Sequence, residues 1–286
     1  PKCKKGKITF FDDGYDHFVL LVDNLHAFRF PRTEAHGKKD HLENKFLKRF
    51  AISSPVLVPQ ITGQIDEKTG IKYQTYEFIQ GVRLSKELSA TLTEQELITI
   101  ATDMGRFLTQ LHSCSLSEAR AMDMDELDPV MYGEYFKDFL GKDRKVIFPL
   151  LSIDEQVWIE KLIKDFSGLT NDHPFEVKVT HFDMLPEHII IDADTHKLNG
   201  IIDFSLRIAD PARDFTYFDR YSDVFLQTVY KNYSLSLDEY FDKRRKFYSG
   251  NLPVANLYQS LERKDEKMIK IHLSELKEYI KTHRRL

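Results

Sequence analysis

Cysteine is scarce in this sequence, since only Cys3 and Cys114 among 286 residues carry thiols. Two cysteines so far apart exclude a disulfide framework and a cysteine metal cage. No run approaches the roughly 20 apolar residues that span a bilayer, and Pro1–Gly6 lacks the apolar core of a signal peptide. The net charge of -4 gives no electrostatic reason to bind nucleic acid or an anionic membrane. These absences predict a cytoplasmic monomer whose partners are small molecules or proteins.

The first 80 residues have the pattern of a small sheet crossed by one helix. Apolar residues at 18–22 and 27–30 flank the turn-prone pair Asp23-Asn24, which predicts a β-hairpin. Apolar residues recur at helical spacing from Asp40 to Phe50, and strand character returns up to Ile79. We therefore predict a first domain at residues 1–80.

The rest of the chain reads as mainly helical. Thr93 followed by Glu96 forms a capping box, in which the two side chains satisfy backbone amides at a helix start. An apolar stripe follows, formed by Leu97, Ile100, Ala101, Met104, Phe107, Leu108 and Leu111. Residues 121–170 and 214–286 show further helical spacing, and no flexible linker interrupts them. This predicts a larger helical domain at residues 81–286.

Residues 180–204 interrupt that helical pattern with a predicted hairpin. The runs Ile189–Ile191 and Gly200–Ile202 are separated by a polar segment, which favours antiparallel pairing. If Ile189 lies opposite Ile202, His188 and Asp203 fall opposite one another with Cα atoms about 5 Å apart. Asp183 lies in the preceding loop and can reach the same open end.

These polar residues have the pattern of a phosphoryl-transfer site, where a metal neutralises phosphate charge and a separate carboxylate handles a hydroxyl proton. His188 and Asp203 are the predicted ligands of Mg²⁺, and Asp183 is the predicted base. Magnesium prefers oxygen ligands, so His188 either ligates directly or acts through water. Taken singly, each residue has an ordinary structural interpretation as a satisfied histidine, a turn cap or a strand end. Together they favour a functional site.

The segments His181–His188 and Gly200–Ser205 resemble the catalytic and metal-binding segments of the aminoglycoside phosphotransferase family. The family's usual Asn five residues after the base is His188 here, as it is in the similar aminoglycoside 2''-phosphotransferases and macrolide phosphotransferases. The resemblance implies an α+β, bilobal protein-kinase-like fold with an N-terminal antiparallel sheet, one helix and a larger, mainly helical C-terminal lobe. It also implies an enzyme that phosphorylates hydroxyl groups. The segment Asp210–Phe215 is similar to the family's Asp-Pro-x-x-Asp-Phe segment, which supports the catalytic loop.

The same resemblance assigns phosphate-binding residues in the first 80 residues. Gly14 and Asp16 belong to a segment that looks like the family's nucleotide-covering turn, where glycine lets backbone amides approach phosphate. Arg29 stands where the family has its phosphate-binding lysine, and a guanidinium can also neutralise phosphate. Glu43 is its implied ion-pair partner. Taken singly, Gly14 is typical of a hairpin turn, and Arg29 and Glu43 are typical of solvated surface charges.

The purine site is implied at the junction of the two predicted domains. Tyr76–Val82 looks like the family's hinge, in which backbone groups of Glu77 and Ile79 hydrogen-bond the base. Tyr76 borders that pocket, and its bulk disfavours the usual adenine position. We therefore give GTP at least equal weight with ATP as the co-substrate.

The acceptor is less well specified by the sequence. Aminoglycosides are polycations that require a carboxylate-lined cleft, for which the candidates are Asp214, Asp219 and Asp223, with Asp238 and Glu239. Ser205 replaces the family's usual glycine, the interval from Asp203 to Asp210 is one residue shorter than usual, and Arg207 places a cation near the acceptor. That cation repels a polycation unless a carboxylate pairs with it.

Three functions stay open at this point. The first is an aminoglycoside O-phosphotransferase of the antibiotic-resistance type. The second is a kinase of macrolides or cellular metabolites, with an acceptor pocket lined by Tyr217, Phe218, Tyr221 and Phe225. The third is a nucleotide-binding pseudoenzyme, which we rank last because the predicted base and both predicted metal ligands are present.

Overall fold

The structure is a computed structural model that describes residues 6–12, 17–66, 70–129 and 131–283. Two of the predicted nucleotide contacts, Gly14 and Asp16, lie outside the described residues. The chain divides into two compact units. The first unit consists of Pro1–Glu126, Lys178–Ile208 and Tyr217–Leu235, and the second consists of Leu127–Val177, Ala209–Thr216 and Ser236–Leu286.

A five-stranded antiparallel sheet opens the first unit. Its strands are β1 (Ile8–Phe11), β2 (His17–Val22), β3 (His26–Pro31), β4 (Thr62–Ile65) and β5 (Lys72–Glu77), in the order β1-β2-β3-β5-β4. The predicted β2-β3 hairpin is confirmed, with Phe18 opposite Phe30. The loop has three residues, of which Asp23 and Asn24 both adopt φ of 55°, and the Leu25 amide closes the turn on the Val22 carbonyl at 3.0 Å. Asp and Asn tolerate this conformation better than other non-glycine residues.

One helix packs on this sheet. Helix α1 spans Glu34–Phe50, so it begins six residues before the start that the apolar spacing predicted. The early turns contain few apolar residues, and they therefore carried no periodic signal. Phe46, Leu47 and Phe50 are buried, and so are the polar residues Asp40 and Glu43.

The remaining helices confirm the predicted α+β class, with a sheet-rich N-terminal part and a mainly helical C-terminal part. They are α2 (Lys86–Ser89), α3 (Glu94–His112), α4 (Leu116–Arg120), α5 (Tyr132–Val146), α6 (Ile153–Asp172), α7 (Asp223–Asn232), α8 (Phe241–Arg263) and α9 (Glu266–Thr282). The predicted capping box is present at Thr93 and Glu96, and the whole apolar stripe of α3 is buried. Helices α3 and α7 approach closely at Gly105, where an added Cβ would lie 2.7 Å from the Val229 carbonyl oxygen. Within the described residues, no helix has the length and apolar character to cross a bilayer.

The predicted hairpin in residues 180–204 exists, but its predicted register is wrong by one residue. A three-stranded sheet contains β6 (Val82–Arg83), β8 (Ile189–Ile191) and β9 (Leu198–Ile201), and a separate pair joins β7 (Lys178–Thr180) to β10 (Arg207–Ala209). Ile189 lies opposite Ile201, and a bulge shifts Ile191 to Leu198. Both strands are buried on both faces, so no alternation of apolar and polar residues fixed the register.

The second unit has an aromatic core. Phe166 and Phe247 stack with their ring centroids 3.6 Å apart, and Tyr132, Phe136 and Tyr248 surround them edge-on. A polar network lies in the same unit and consists of the buried residues Asp210, Arg244 and Tyr248 and the exposed Asp238. The Arg244 Nε atom donates to Asp210 at 2.7 Å, the Tyr248 hydroxyl donates to the same carboxylate at 2.8 Å, and the Arg244 guanidinium also binds Asp238. Asp210 caps the 3-10 helix Pro211–Phe215, which agrees with the structural role implied for this segment.

Candidate active site

Two loops of the first unit meet around His181, which follows strand β7 and is fully buried. Its Nδ1 atom accepts a hydrogen bond from the Asp183 amide at 3.3 Å, so the proton sits on Nε2, which donates to the Ile202 carbonyl at 3.0 Å. The His181 carbonyl accepts from the Ser205 amide at 3.1 Å. One histidine therefore ties the loop before β8 to the loop after β9.

Both loops contain a residue in the left-handed backbone region. Phe182 has φ of 69° and Asp203 has φ of 62°. This conformation is rare for a bulky residue such as Phe and is found most often at functional sites. It turns the chain sharply on either side of the His181 contacts.

His188 and Asp203 meet at the open end of the hairpin, as predicted. The His188 Nε2 atom lies 3.2 Å from Asp203 Oδ2, although the residue directly opposite His188 is Ile202, whose amide donates to the His188 carbonyl. The left-handed turn at Asp203 brings its side chain back to the imidazole. The predicted proximity is therefore correct, but it does not arise from the predicted register.

The protonation of this pair follows from their contact. Burial alone lowers the pKa of His188, but the hydrogen bond and charge of Asp203 outweigh it and raise the pKa to about 9. Desolvation tends to raise the pKa of Asp203, but the hydrogen bond and charge of His188 hold it well below its ordinary range. The Asp203 carboxylate is therefore an anion at neutral pH, and its side chain is 60% exposed.

Asp183 is held beside this pair by its backbone. The His188 Nδ1 atom donates to the Asp183 carbonyl oxygen at 2.7 Å, and the Asp183 carboxylate lies 3.7 Å from the same nitrogen. The Asp183 side chain is 39% exposed, whereas His188 is nearly buried. This arrangement leaves a carboxylate open to solvent next to an anionic, exposed Asp203.

Arg29 extends from β3 toward helix α1 and forms the implied ion pair with Glu43. Its Nη2 atom lies 2.9 Å from Glu43 Oε2, with both side chains largely buried. Burial alone lowers the pKa of Arg29, but Glu43, Asp203 and Asp40 outweigh it, so the guanidinium remains charged. The charge of Asp203 is among the causes that keep the pKa of Arg29 high, so the two side chains are near enough to interact electrostatically.

Three residues of this cluster, Asp40, His17 and Gln74, were not predicted as site residues from the sequence. The carboxylate of Asp40 accepts from Arg29 Nη2 at 3.2 Å and contacts His17 Nε2 at 2.8 Å. Gln74, opposite Arg29 on β5, donates to the Asp40 carbonyl at 3.4 Å. The spacing of Asp40 and Glu43 by three residues on one helix face could have indicated that both reach Arg29.

The segment after β5 contains the predicted purine contacts, and their role stays a prediction. The Phe78 amide donates to the Leu25 carbonyl at 2.7 Å, toward β3. Because backbone groups alternate in direction along a strand, those of Glu77, the last residue of β5, face away from β3. Tyr76 pairs with Ala27 on the same sheet face as Arg29, and burial raises its pKa to about 12.

The residues proposed for the acceptor are dispersed. Asp214 is fully buried in the second unit, while Asp219 is half-buried and Asp223 is exposed at the start of α7 in the first unit. Their role as acceptor contacts stays a prediction, and its burial makes Asp214 the weakest of the three. Phe218 and Phe225, suggested for an apolar pocket, are fully buried core residues.

The cation of Arg207 has a carboxylate neighbour, but the contact is long and exposed. Its Nη1 atom lies 3.4 Å from Asp125 Oδ2, and its guanidinium lies 4.9 Å from the ring centroid of Phe182. Phe182 immediately precedes Asp183. Arg207 is thus fixed beside the proposed base, and Asp125 partly neutralises it.

A model of the phosphotransferase enzyme family matches residues 7–244. This match covers most of the chain, so the chain belongs to the phosphotransferase enzyme family. The predicted family and the predicted enzyme class, a nucleotide-dependent O-phosphotransferase of small molecules, are confirmed.

Several solved structures are similar to this chain. The GDP and kanamycin complex of APH(2")-IIia has a TM-score of 0.85 and 18% identity, covering 97% of this chain and 94% of that chain. The ADP-bound aminoglycoside phosphotransferase APH(2'')-Ib has a TM-score of 0.71 and 21% identity, covering 94% and 91%. The apoenzyme of macrolide 2'-phosphotransferase MphH from Brachybacterium faecium has a TM-score of 0.73 and 17% identity, also covering 94% and 91%. The shared fold confirms the predicted protein-kinase-like architecture.

The chemistry of the residues present fits a magnesium ion. Among the described residues, no three His, Cys, Asp or Glu side chains converge as a complete metal site. Magnesium is commonly held by only one or two carboxylates, with waters and substrate phosphates completing its shell. Asp203 offers an exposed anionic oxygen of this kind, and His188 is placed either to hydrogen-bond it or, once deprotonated, to ligate.

Proposed function

We propose that this small-molecule phosphotransferase transfers the γ-phosphate of GTP or ATP to a hydroxyl group of an aminoglycoside. The observation that carries the proposal is the Asp183 carboxylate, exposed and held by its own backbone against the His188–Asp203 pair. A base and an anionic metal ligand are thereby adjacent but distinct. Phosphoryl transfer requires this separation of roles.

Each group has a role in the proposed reaction. Asp183 orients the acceptor hydroxyl and takes its proton as the new bond to phosphorus forms and the bond to the nucleoside diphosphate breaks. Asp203, with His188 beside it, would hold Mg²⁺, which when bound would neutralise charge on the phosphates. Arg29 contacts the nucleotide phosphates, and Glu43 fixes Arg29.

The nucleotide base would lie at the segment after β5. The backbone groups of Glu77 and Ile79 would hydrogen-bond the purine, and Tyr76 would border it. Residues 1–80 would then form the nucleotide-binding lobe and residues 81–286 the catalytic and acceptor-binding lobe. Asp219 and Asp223 would contribute negative charge for a polycationic acceptor.

A second acceptor class is favoured by one observation. Arg207 places a guanidinium over Phe182, next to Asp183, and its contact to the exposed Asp125 is not a tight ion pair. A fixed cation at this position disfavours a densely charged polycation. A macrolide or another hydroxyl compound of lower positive charge is therefore the alternative.

The decisive experiment measures GTP and ATP turnover against a panel of aminoglycosides, macrolides and polyol metabolites. Asp183→Asn should lower turnover by on the order of a hundredfold or more while nucleotide affinity stays nearly unchanged. Asp203→Ala should instead abolish metal-dependent nucleotide binding. The control is Asp103→Asn, which removes a half-buried carboxylate paired with the exposed Arg106 and should change neither quantity.

The outcomes separate the candidates. Turnover that requires an aminoglycoside supports the proposal, and turnover with a macrolide or polyol alone supports the second candidate. Tight binding of magnesium and nucleotide without transfer to any acceptor would indicate the pseudoenzyme. Equal effects of the two substitutions on nucleotide binding would contradict the division of roles.

A further inference from the structure

Asp40 is a buried carboxylate that the proposed reaction does not yet use. It is 5% exposed, and a single oxygen, Oδ1, contacts both His17 Nε2 at 2.8 Å and Arg29 Nη2 at 3.2 Å. A carboxylate is rarely buried without a partner, and here both partners are also buried. The three side chains join the start of β2, strand β3 and helix α1.

Arg29 uses one nitrogen for two carboxylates. Its Nη2 atom contacts Asp40 Oδ1 and, at 2.9 Å, Glu43 Oε2. Each terminal guanidinium nitrogen carries two hydrogens, so Nη2 can donate one to each carboxylate. The Nε atom of Arg29 is buried and, within the described part of the chain, has no hydrogen-bond partner.

The two contacts together define the orientation of the guanidinium. Because the group is planar, both hydrogens of Nη2 lie in its plane, and two acceptors therefore fix that plane. A single contact to Glu43 would leave the plane free to turn about it. The donor on Nε is engaged by neither carboxylate.

We propose that Asp40 is a positioning residue that, with His17, sets the plane of Arg29 so that its remaining donors face the nucleotide phosphates. This inference rests on the phosphate-binding role of Arg29 in the proposed function. Glu43 forms the ion pair that the family resemblance implies. Asp40 forms the second contact, which prevents the guanidinium plane from turning about the first. His17 holds the Asp40 oxygen, and Gln74 holds its backbone carbonyl.

The position of His17 extends this role along the chain. His17 is the first residue of β2 and directly follows Asp16, one of the two predicted nucleotide-covering residues, in the sequence. Its contact with Asp40 links that point of the chain to Arg29. A change at Asp40 should therefore weaken the binding of a ligand's phosphate groups and leave the binding of its base unchanged.

The test compares ligands with and without phosphate. Dissociation constants of GDP, ADP, guanosine and adenosine are measured by calorimetry in the presence of Mg²⁺ for wild type, Asp40→Ala and Asp40→Asn. Asp40→Ala should weaken GDP and ADP about tenfold, the scale of one charge-assisted hydrogen bond, and leave both nucleosides within about twofold. Asp40→Asn keeps an oxygen acceptor and should recover part of the loss. It also provides a readout if Asp40→Ala does not fold.

A double-mutant cycle and a matched control complete the design. In an Arg29→Ala background, Asp40→Ala should have no further effect on GDP, because Asp40 acts through Arg29. The control is Tyr233→Phe, which removes a buried hydrogen bond to His112 in the same unit and should change stability without changing the ratio of GDP to guanosine affinity.

Several results would overturn the inference. An equal loss for nucleosides and nucleotides would make Asp40 a purely structural residue. An undiminished effect of Asp40→Ala in the Arg29→Ala background would show that it does not act through Arg29. Unchanged GDP affinity in both Asp40 variants would refute the inference alone, whereas a wild-type chain that binds no nucleotide would refute the proposed function as well.

Discussion

Gly200→Ala is expected to destabilise the protein and weaken its nucleotide site. Gly200 lies in β9 beneath the segment after β5, where an added Cβ would lie 2.8 Å from both the Leu57 carbonyl oxygen and Ile79 Cγ2. Carbon contacts are most favourable at about 3.5–4.0 Å, so the neighbours must move apart. Neither moves freely, because the Leu57 carbonyl accepts from the Ile201 amide at 3.0 Å and Ile79 is buried.

The size of the effect follows from these contacts. Overpacking of this kind costs about 1–3 kcal/mol of unfolding free energy. With an m value of about 2–3 kcal/mol/M, the urea midpoint should fall by about 0.3–1.5 M. Displacement of Ile79 should also raise the dissociation constant of GDP and ADP severalfold, because its backbone is a proposed purine contact.

The assay is urea unfolding followed by far-ultraviolet circular dichroism, with nucleotide affinity measured by calorimetry. Gly168→Ala is the matched control, since Gly168 is an exposed position inside α6 where an added Cβ meets nothing within 4 Å. That change should stabilise the protein by about 0.4–1 kcal/mol. A Gly200→Ala variant as stable as wild type would refute the reasoning, and a destabilised variant with normal nucleotide affinity would remove Ile79 from the purine site.

Three further predictions concern the site itself. In the absence of divalent ions, the His188–Asp203 pair should contribute its full stabilisation below pH 6.5. That stabilisation should persist as the pH falls, until Asp203 protonates in the acid range. It should be lost as the pH rises through about 9, because the pKa of His188 is raised in the folded state. Its size is roughly 1–2 kcal/mol, reduced by the exposure of Asp203, and difference melts of wild type and His188→Gln from pH 6 to 10 measure it. Tyr76→Ala should widen the base pocket and raise the ratio of ATP to GTP in kcat/KM. Arg207→Ala should lower the KM of aminoglycosides severalfold while leaving the KM of an uncharged acceptor unchanged.

Each of these predictions has a clear contrary result. If the stability difference between wild type and His188→Gln grew between pH 6.5 and 9, the direction assigned to the pKa shift of His188 would be wrong. An unchanged nucleotide ratio would remove Tyr76 from the base site. Equal effects of Arg207→Ala on charged and uncharged acceptors would show that Arg207 supports the loop and does not select the acceptor.

Local signals predicted much of the fold. The pair Asp23-Asn24 marked the β2-β3 hairpin because both residues adopt left-handed conformations readily. Thr93 and Glu96 marked the start of α3 because capping is decided within four residues. The register of β8 with β9 was not predictable, since strands buried on both faces have no polar side to align and a bulge shifts the pairing.

The candidate site was only partly predictable for a related reason. Asp183, His188 and Asp203 are close in sequence, and one hairpin brings them together. Asp40 and His17 are 23 residues apart and meet only because the packing of α1 on the sheet brings them together. Such contacts leave no periodic trace in a single sequence.

The contacts of His181 have a consequence for protein engineering. Its ring and carbonyl hold the Asp183 amide, the Ile202 carbonyl and the Ser205 amide, and so stabilise two loops that each contain a left-handed residue. Replacing one loop with the corresponding segment of a homologue would leave the other without its anchor. Chimeras that exchange acceptor preference within this family should therefore replace residues 181–188 and 202–205 together.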